Sequence, residues 1–150
     1  MTTGKSLAAL FRRDLSRLVQ QLAGFPDGEA VWATPPGVTN SAGNLALHIE
    51  GNLREYIGRQ LGGLPYDRNR PLEFTLTGLP RAELVSRLAD VSTAIPPIVE
   101  SLSQDRLEAE YPEVVLNTPM SVQQFLMHLY GHLNWHRGQI DYLRRILASP

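Results

Sequence analysis

A chain of 150 residues, 43% hydrophobic and 19% charged, has the length and apolar content for one buried core without covalent staples. Its formal net charge of -1 argues against a phosphate-tracking surface, so no nucleic-acid partner is expected. It has no cysteine, which excludes disulfides, thiolate metal sites and cysteine nucleophiles, and Lys5 is its only lysine, which removes lysine Schiff-base and general-base chemistry from the core.

The N-terminal stretch has no long apolar run, and Arg12 and Arg13 follow its apolar residues instead of preceding them, unlike a signal peptide. No window approaches the ~20 apolar residues of a membrane span. A cytoplasmic protein with no membrane partner is the expectation. One domain over residues 1–150 is expected, with four helices. The first runs from Ser6 to Ala23, where Leu7, Leu10, Phe11, Leu15, Leu18, Val19 and Leu22 recur at helical spacing, and Gly24, Phe25 and Pro26 end it. A proline-rich connector leads to Asn40 or Ser41 as the cap of a second helix, Ala42 to Leu61. Gly62, Gly63 and Pro65 stop that helix. The connector from Tyr66 to Gly78 carries Arg68, Arg70 and Pro71, and its length suits a crossover in a bundle. A third helix spans Pro80 to Leu102, and Pro96 and Pro97 should kink or interrupt it. Residues 103–118 read as irregular, with Glu110 to Leu116 as a short extended piece. The fourth and longest helix begins at Met120 or Ser121 and ends near Leu147.

On this last helix Leu126, Leu129, Leu133, Ile140, Leu143 and Leu147 form a bundle seam, and His136 completes it where a leucine belongs. A polar ring facing a core needs a partner. His132 lies one turn earlier, roughly 60° from the seam centre, and His128 lies about 100° away at the edge of the buried arc. An i,i+4 histidine pair can converge on one ion, and a catalytic metal site takes three protein ligands and an open position. A hydrogen-bonded core pair is the other reading of the same spacing. His48, the remaining histidine, flanks the apolar arc of the second helix, with Asn44, Asn52 and Glu55 near it at helical spacing.

The run from Gly131 to Ile140 (GHLNWHRGQI) resembles the closing-helix motif of the DinB/YfiT-like metalloprotein superfamily. The run from Asn40 to His48 (NSAGNLALH), continued by Asn52 to Arg54, resembles its second-helix motif. The resemblance implies an all-α four-helix bundle with a non-sequential helix order and a long crossover. It also implies a homodimer and a metal held by His48, His132 and His136. His128 falls outside that set and is expected on a half-exposed flank. The ion implied is a divalent transition metal, zinc or nickel first, with iron, manganese or copper as the alternatives. Some characterised members of this superfamily transfer low-molecular-weight thiols, and many have no assigned activity. The resemblance therefore implies a thiol transferase acting on a small molecule, with a hydrolase using metal-activated water, or a non-catalytic metal-binding or stress-related module, as the competing readings.

Other candidate roles are narrower. Glu55 is a candidate base or acceptor behind His48. Asn52 and Gln139 are candidates to orient a ligand, and Arg68 and Arg70 to meet an acidic cosubstrate. Tyr130 and Trp135 project away from the seam toward a possible dimer face. Gly131 and Gly138 would allow another helix to approach closely.

Overall fold

The computed structural model describes residues 1–148. Its six helices are α1 (Thr3–Ala23), α2 (Ala42–Leu53), α3 (Arg70–Thr75), α4 (Arg81–Ser101), α5 (Gln104–Glu108) and α6 (Val122–Ala148). The four long ones form the bundle, and no strand occurs among the described residues, where the one extended pairing is an isolated antiparallel bridge between Glu110 and Ser121. The piece expected from Glu110 to Leu116 is therefore reduced to its first residue. Around the bundle the order is α1, α4, α2, α6: α1 packs on α4 and α6, and α2 packs on the same two helices. Sequential long helices α1 and α2 thus sit diagonally, as do α4 and α6, which is why the connections between them are long.

Caps and apolar stripes account for the elements. Thr2 caps α1 by accepting from the Lys5 N–H, so the helix starts at Thr3, three residues before the start expected at Ser6. Leu7, Phe11, Leu15, Leu18 and Leu22 bury one face of that helix. Ser41 caps α2 by accepting from the Asn44 N–H at 3.1 Å, and the polar Asn44, His48, Glu50 and Asn52 of this helix are as buried as its leucines. Beyond Leu53 the helix widens into a π turn, Arg54–Arg59, where the Gln60 N–H reaches back to Glu55 O at 3.2 Å. The Tyr111 hydroxyl donates to the Tyr56 carbonyl in this turn at 2.7 Å, and so anchors the α5–α6 connection to it.

Two expectations are sharpened here. Of the kink or interruption expected at Pro96 and Pro97, the interruption does not occur: α4 runs through both to Ser101. Each proline removes one backbone donor, but Ile95, Pro96 and Val99 stay buried, and α1 packs along this helix. The crossover is also not a plain connector, because Asn69 caps the short helix α3 by accepting from the Leu72 N–H.

Along α6 the seam is as expected, with Leu126, Leu129, Leu133, Ile140 and Leu143 all buried. Tyr130 does not face outward. Its hydroxyl donates to buried Asp14 of α1, and its ring meets Phe11 edge-on at 5.4 Å. Burial works against ionisation of Asp14, but hydrogen bonds from Arg13 and Tyr130 outweigh it and hold its carboxyl well below the usual range. Trp135, in contrast, is 70% exposed, and Gly131 and Gly138 face open space.

Two neighbouring substitutions on α6 should therefore behave differently. Leu133→Ala is expected to cost about 2–5 kcal/mol in chemical denaturation, and Trp135→Ala no more than ~0.5 kcal/mol. Equal losses would refute this assignment of faces.

Candidate metal centre

Helix α2 carries His48, and α6 carries His132 and His136 one turn apart. Because α2 packs on α6, the three rings converge. His48 Nε2 lies 3.0 Å from His132 Nε2, which lies 3.2 Å from His136 Nε2. His48 is buried, and the other two are half-buried.

The outer nitrogens of two rings are already engaged. His48 Nδ1 donates to Glu73 Oε1 at 3.0 Å, and His136 Nδ1 donates to Gln139 Oε1 at 2.7 Å. A neutral imidazole that donates through Nδ1 has a lone pair at Nε2. Two such lone pairs point at His132 Nε2, which carries at most one hydrogen and so satisfies at most one of them. A proton on His132 or His136 is disfavoured. Burial, then the neighbouring histidines, push the His132 pKa down to about 3, and burial lowers that of His136 despite the Gln139 bond. Three ring nitrogens thus face one another at one point, and two of the rings have their outer nitrogens already engaged. The spacing also suits one ion, since nitrogens about 2.0–2.1 Å from a tetrahedral centre lie about 3.3 Å apart.

The group that orients His48 is Glu73 on α3, a residue that sequence reasoning passed over. Arg68 holds the same carboxylate in a two-pronged pair at 2.9 and 3.0 Å. Burial opposes ionisation of Glu73, but His48 and Arg68 more than compensate and keep its pKa below the ordinary value. Gly51 makes room for it: a Cβ there would lie 1.9 Å from Glu73 Oε2. Asn44, one turn before His48, donates to the carbonyls of Glu73 and Leu76 at 3.0 and 2.8 Å and fastens α3 to α2. The polar strip Asn44, His48 and Asn52 thus borders the crossover, and this cover is why His48 is buried and not merely flanking. The one sequence signal for α3 was an asparagine cap followed by Pro71 in the first turn.

The remaining candidates separate. Gln139 bonds His136 as described. Asn52 lines a cavity of about 410 Å³ with His48 and His132, and its Oδ1 is buried without a partner. His128 is exposed, stacks on Phe125 and borders this cavity, in agreement with a flanking place outside the cluster. Glu55 is not beside the histidines. Two helical turns carry it about 10 Å along from His48, where it pairs with Arg59 and Gln60. A second cavity, of about 440 Å³, reaches His136 and Gln139 from the other side, between Val38, Leu45, Tyr142 and Ile146.

Bundle and histidine cluster together define an all-α protein of the DinB-like superfamily. Residues 6–149 match the family model described as mycothiol-S-transferase, and the chain belongs to that family. Two solved structures are similar in fold. One is a DinB-like protein from Bacillus cereus ATCC 10987, at 21% identity and TM-score 0.68, covering 89% of this chain and 85% of that one. The other is a conserved protein from Enterococcus faecalis, at 17% identity and TM-score 0.76, covering 98% of each chain. No curated protein matches the chain. No helix among the described residues is long and apolar enough to cross a membrane.

The depressed His132 pKa sets a pH dependence for the metal-free protein. Unfolding returns this ring to an ordinary value near 6.5, so between about 6.5 and 3 the unfolded chain binds a proton that the folded chain does not. Stability from this source is present above the unfolded value and is lost as pH falls toward 3. Thermal midpoints of metal-free protein should drop from pH 7 to pH 5 in wild type and drop less in His132→Ala. Parallel curves for the two proteins would contradict this origin.

Proposed function

We propose that this protein is a metal-dependent transferase for a low-molecular-weight thiol, with a divalent transition ion held by His48, His132 and His136. The observation that carries the reading is the convergence of three histidine Nε2 atoms, two of whose rings are oriented by Glu73 and Gln139. Membership of the mycothiol-S-transferase family favours thiol transfer over hydrolysis as the use of such a site. An ion bound there supplies Lewis acidity, which lowers the pKa of a thiol that reaches it. With no cysteine in the chain, the thiol comes from a cosubstrate.

The protein's own residues have distinct parts in this scheme. His48, His132 and His136 supply the donors. Glu73 fixes the His48 tautomer and raises its basicity, Arg68 keeps Glu73 ionised, and Gln139 does for His136 what Glu73 does for His48. Two cavities border the cluster, one at His48 and His132 and the other at His136, and so offer room for two substrates. A second copy of the chain would cover the exposed Trp135, Tyr142 and Ile146 of α6 in a homodimer.

Metal titration and a thiol screen test the reading. Untagged wild type is expected to bind one equivalent of zinc or nickel. His48→Ala and His136→Ala should lose the ion, and Glu73→Gln should weaken it about 10–100-fold. Metal-loaded wild type should consume a small thiol in the presence of an electrophile, and His132→Ala should not. Absence of bound metal in wild type sinks the site, and equal inactivity of wild type and His132→Ala across thiols sinks the transferase reading.

A further inference from the structure

The crossover brings two arginines to the cavity beside His48 and His132, and the structure separates their roles. Arg68 is committed to Glu73 through two hydrogen bonds and is nearly buried. Arg70, in the first turn of α3, is exposed, and no carboxylate reaches it among the described residues. Its guanidinium lies over the Phe74 ring, 5.4 Å from the centroid, and that ring in turn packs on His48 at 4.8 Å. A cation seated on an aromatic face keeps its hydrogen-bond donors free, and a guanidinium presents them as a planar fork matched to a carboxylate. Arg70 lines the same cavity as the two histidines and the apolar Val115 and Leu116. Asn52, more than nine-tenths buried, lines it too, and its unpartnered Oδ1 calls for an N–H or O–H donor.

We infer that Arg70 is the carboxylate anchor of this cavity. The ligand class is a small organic acid whose carboxylate sits on the Arg70 guanidinium, whose apolar body lies along Val115 and Leu116, and whose far end approaches His48 and His132. The inference rests on the reading of the histidine cluster as the reacting centre, and it assigns the substrate feature that this side of the cluster selects. The carboxylate belongs either to the electrophile or to the thiol, and the test separates the two.

Binding is measured by calorimetry for 3-phenylpropanoate against 3-phenylpropanamide, and for N-acetylcysteine against N-acetylcysteinamide. Wild type, Arg70→Gln and Arg70→Lys are compared, each loaded with zinc and after zinc removal. In at least one pair the carboxylate should bind wild type about tenfold or more tightly than its amide, in both metal states. Arg70→Gln should bring that ratio close to one, and Arg70→Lys should keep part of it. The pair showing the effect identifies the acid as non-thiol or thiol. No preference in either pair, or a preference that survives Arg70→Gln, overturns the inference. A preference that vanishes with zinc but not with Arg70→Gln assigns the carboxylate to the ion, which overturns the inference and leaves the metal centre standing. An Arg70-dependent preference in a protein that fails to bind zinc does the reverse.

Discussion

The carboxylate of Glu73, held between the His48 ring and the Arg68 guanidinium, is the contact on which the rest of the site depends. A buried carboxylate is stable only when its charge and lone pairs are matched, and here one side is taken by an imidazole N–H and the other by a guanidinium fork. The arrangement needs space that a side chain at Gly51 would fill. It also needs α3 fixed against α2, which Asn44 does through two backbone carbonyls. One consequence reaches the centre of the bundle. With Nδ1 committed as a donor, the neutral ring of His48 presents an Nε2 lone pair to His132.

The same device recurs through the molecule and explains its choice of cation. Asp14 is buried against Arg13, Arg17 and Tyr130, and Glu50 against Arg54 and Arg87. Each buried acid is met by one or more arginines, whose fixed charge and planar donors suit a carboxylate better than an ammonium does. That use is consistent with a chain that has one lysine. It also makes Arg70 unusual, because it stands at a cavity wall with an aromatic ring as its partner and no acid.

Helix order shapes the site as much as any single contact. With α1 and α2 on the diagonal, α2 lies against α6, so histidines 84 residues apart meet. The long connections that this order requires then become walls: the α2–α4 crossover supplies Glu73, Arg68 and Arg70, and the α5–α6 connection supplies Val115 and Leu116. The π turn after Leu53 and the Tyr111 hydroxyl that meets its Tyr56 carbonyl tie these two walls to one end of α2.

Local features of the sequence determined the long helices, the cap at Ser41, the seam of α6 and the pairing of His132 with His136, because helical periodicity and capping act over a few residues. The helical wheel was enough to leave His128 outside, and the motif resemblance to join His48 to that pair. Tertiary structure alone decided the rest. Pro96 and Pro97 remain inside α4, where the chain continues to bury Ile95 and Val99 beside α1. Tyr130 turns inward because Asp14 of α1 is its partner. Glu55 lies in the π turn beyond α2, two turns along from His48, and Glu73, 25 residues from His48 in the chain, becomes its neighbour. No periodicity encodes such a contact. It is set by the path of the crossover, by the absence of a side chain at Gly51 and by the requirement that a buried charge find its partners.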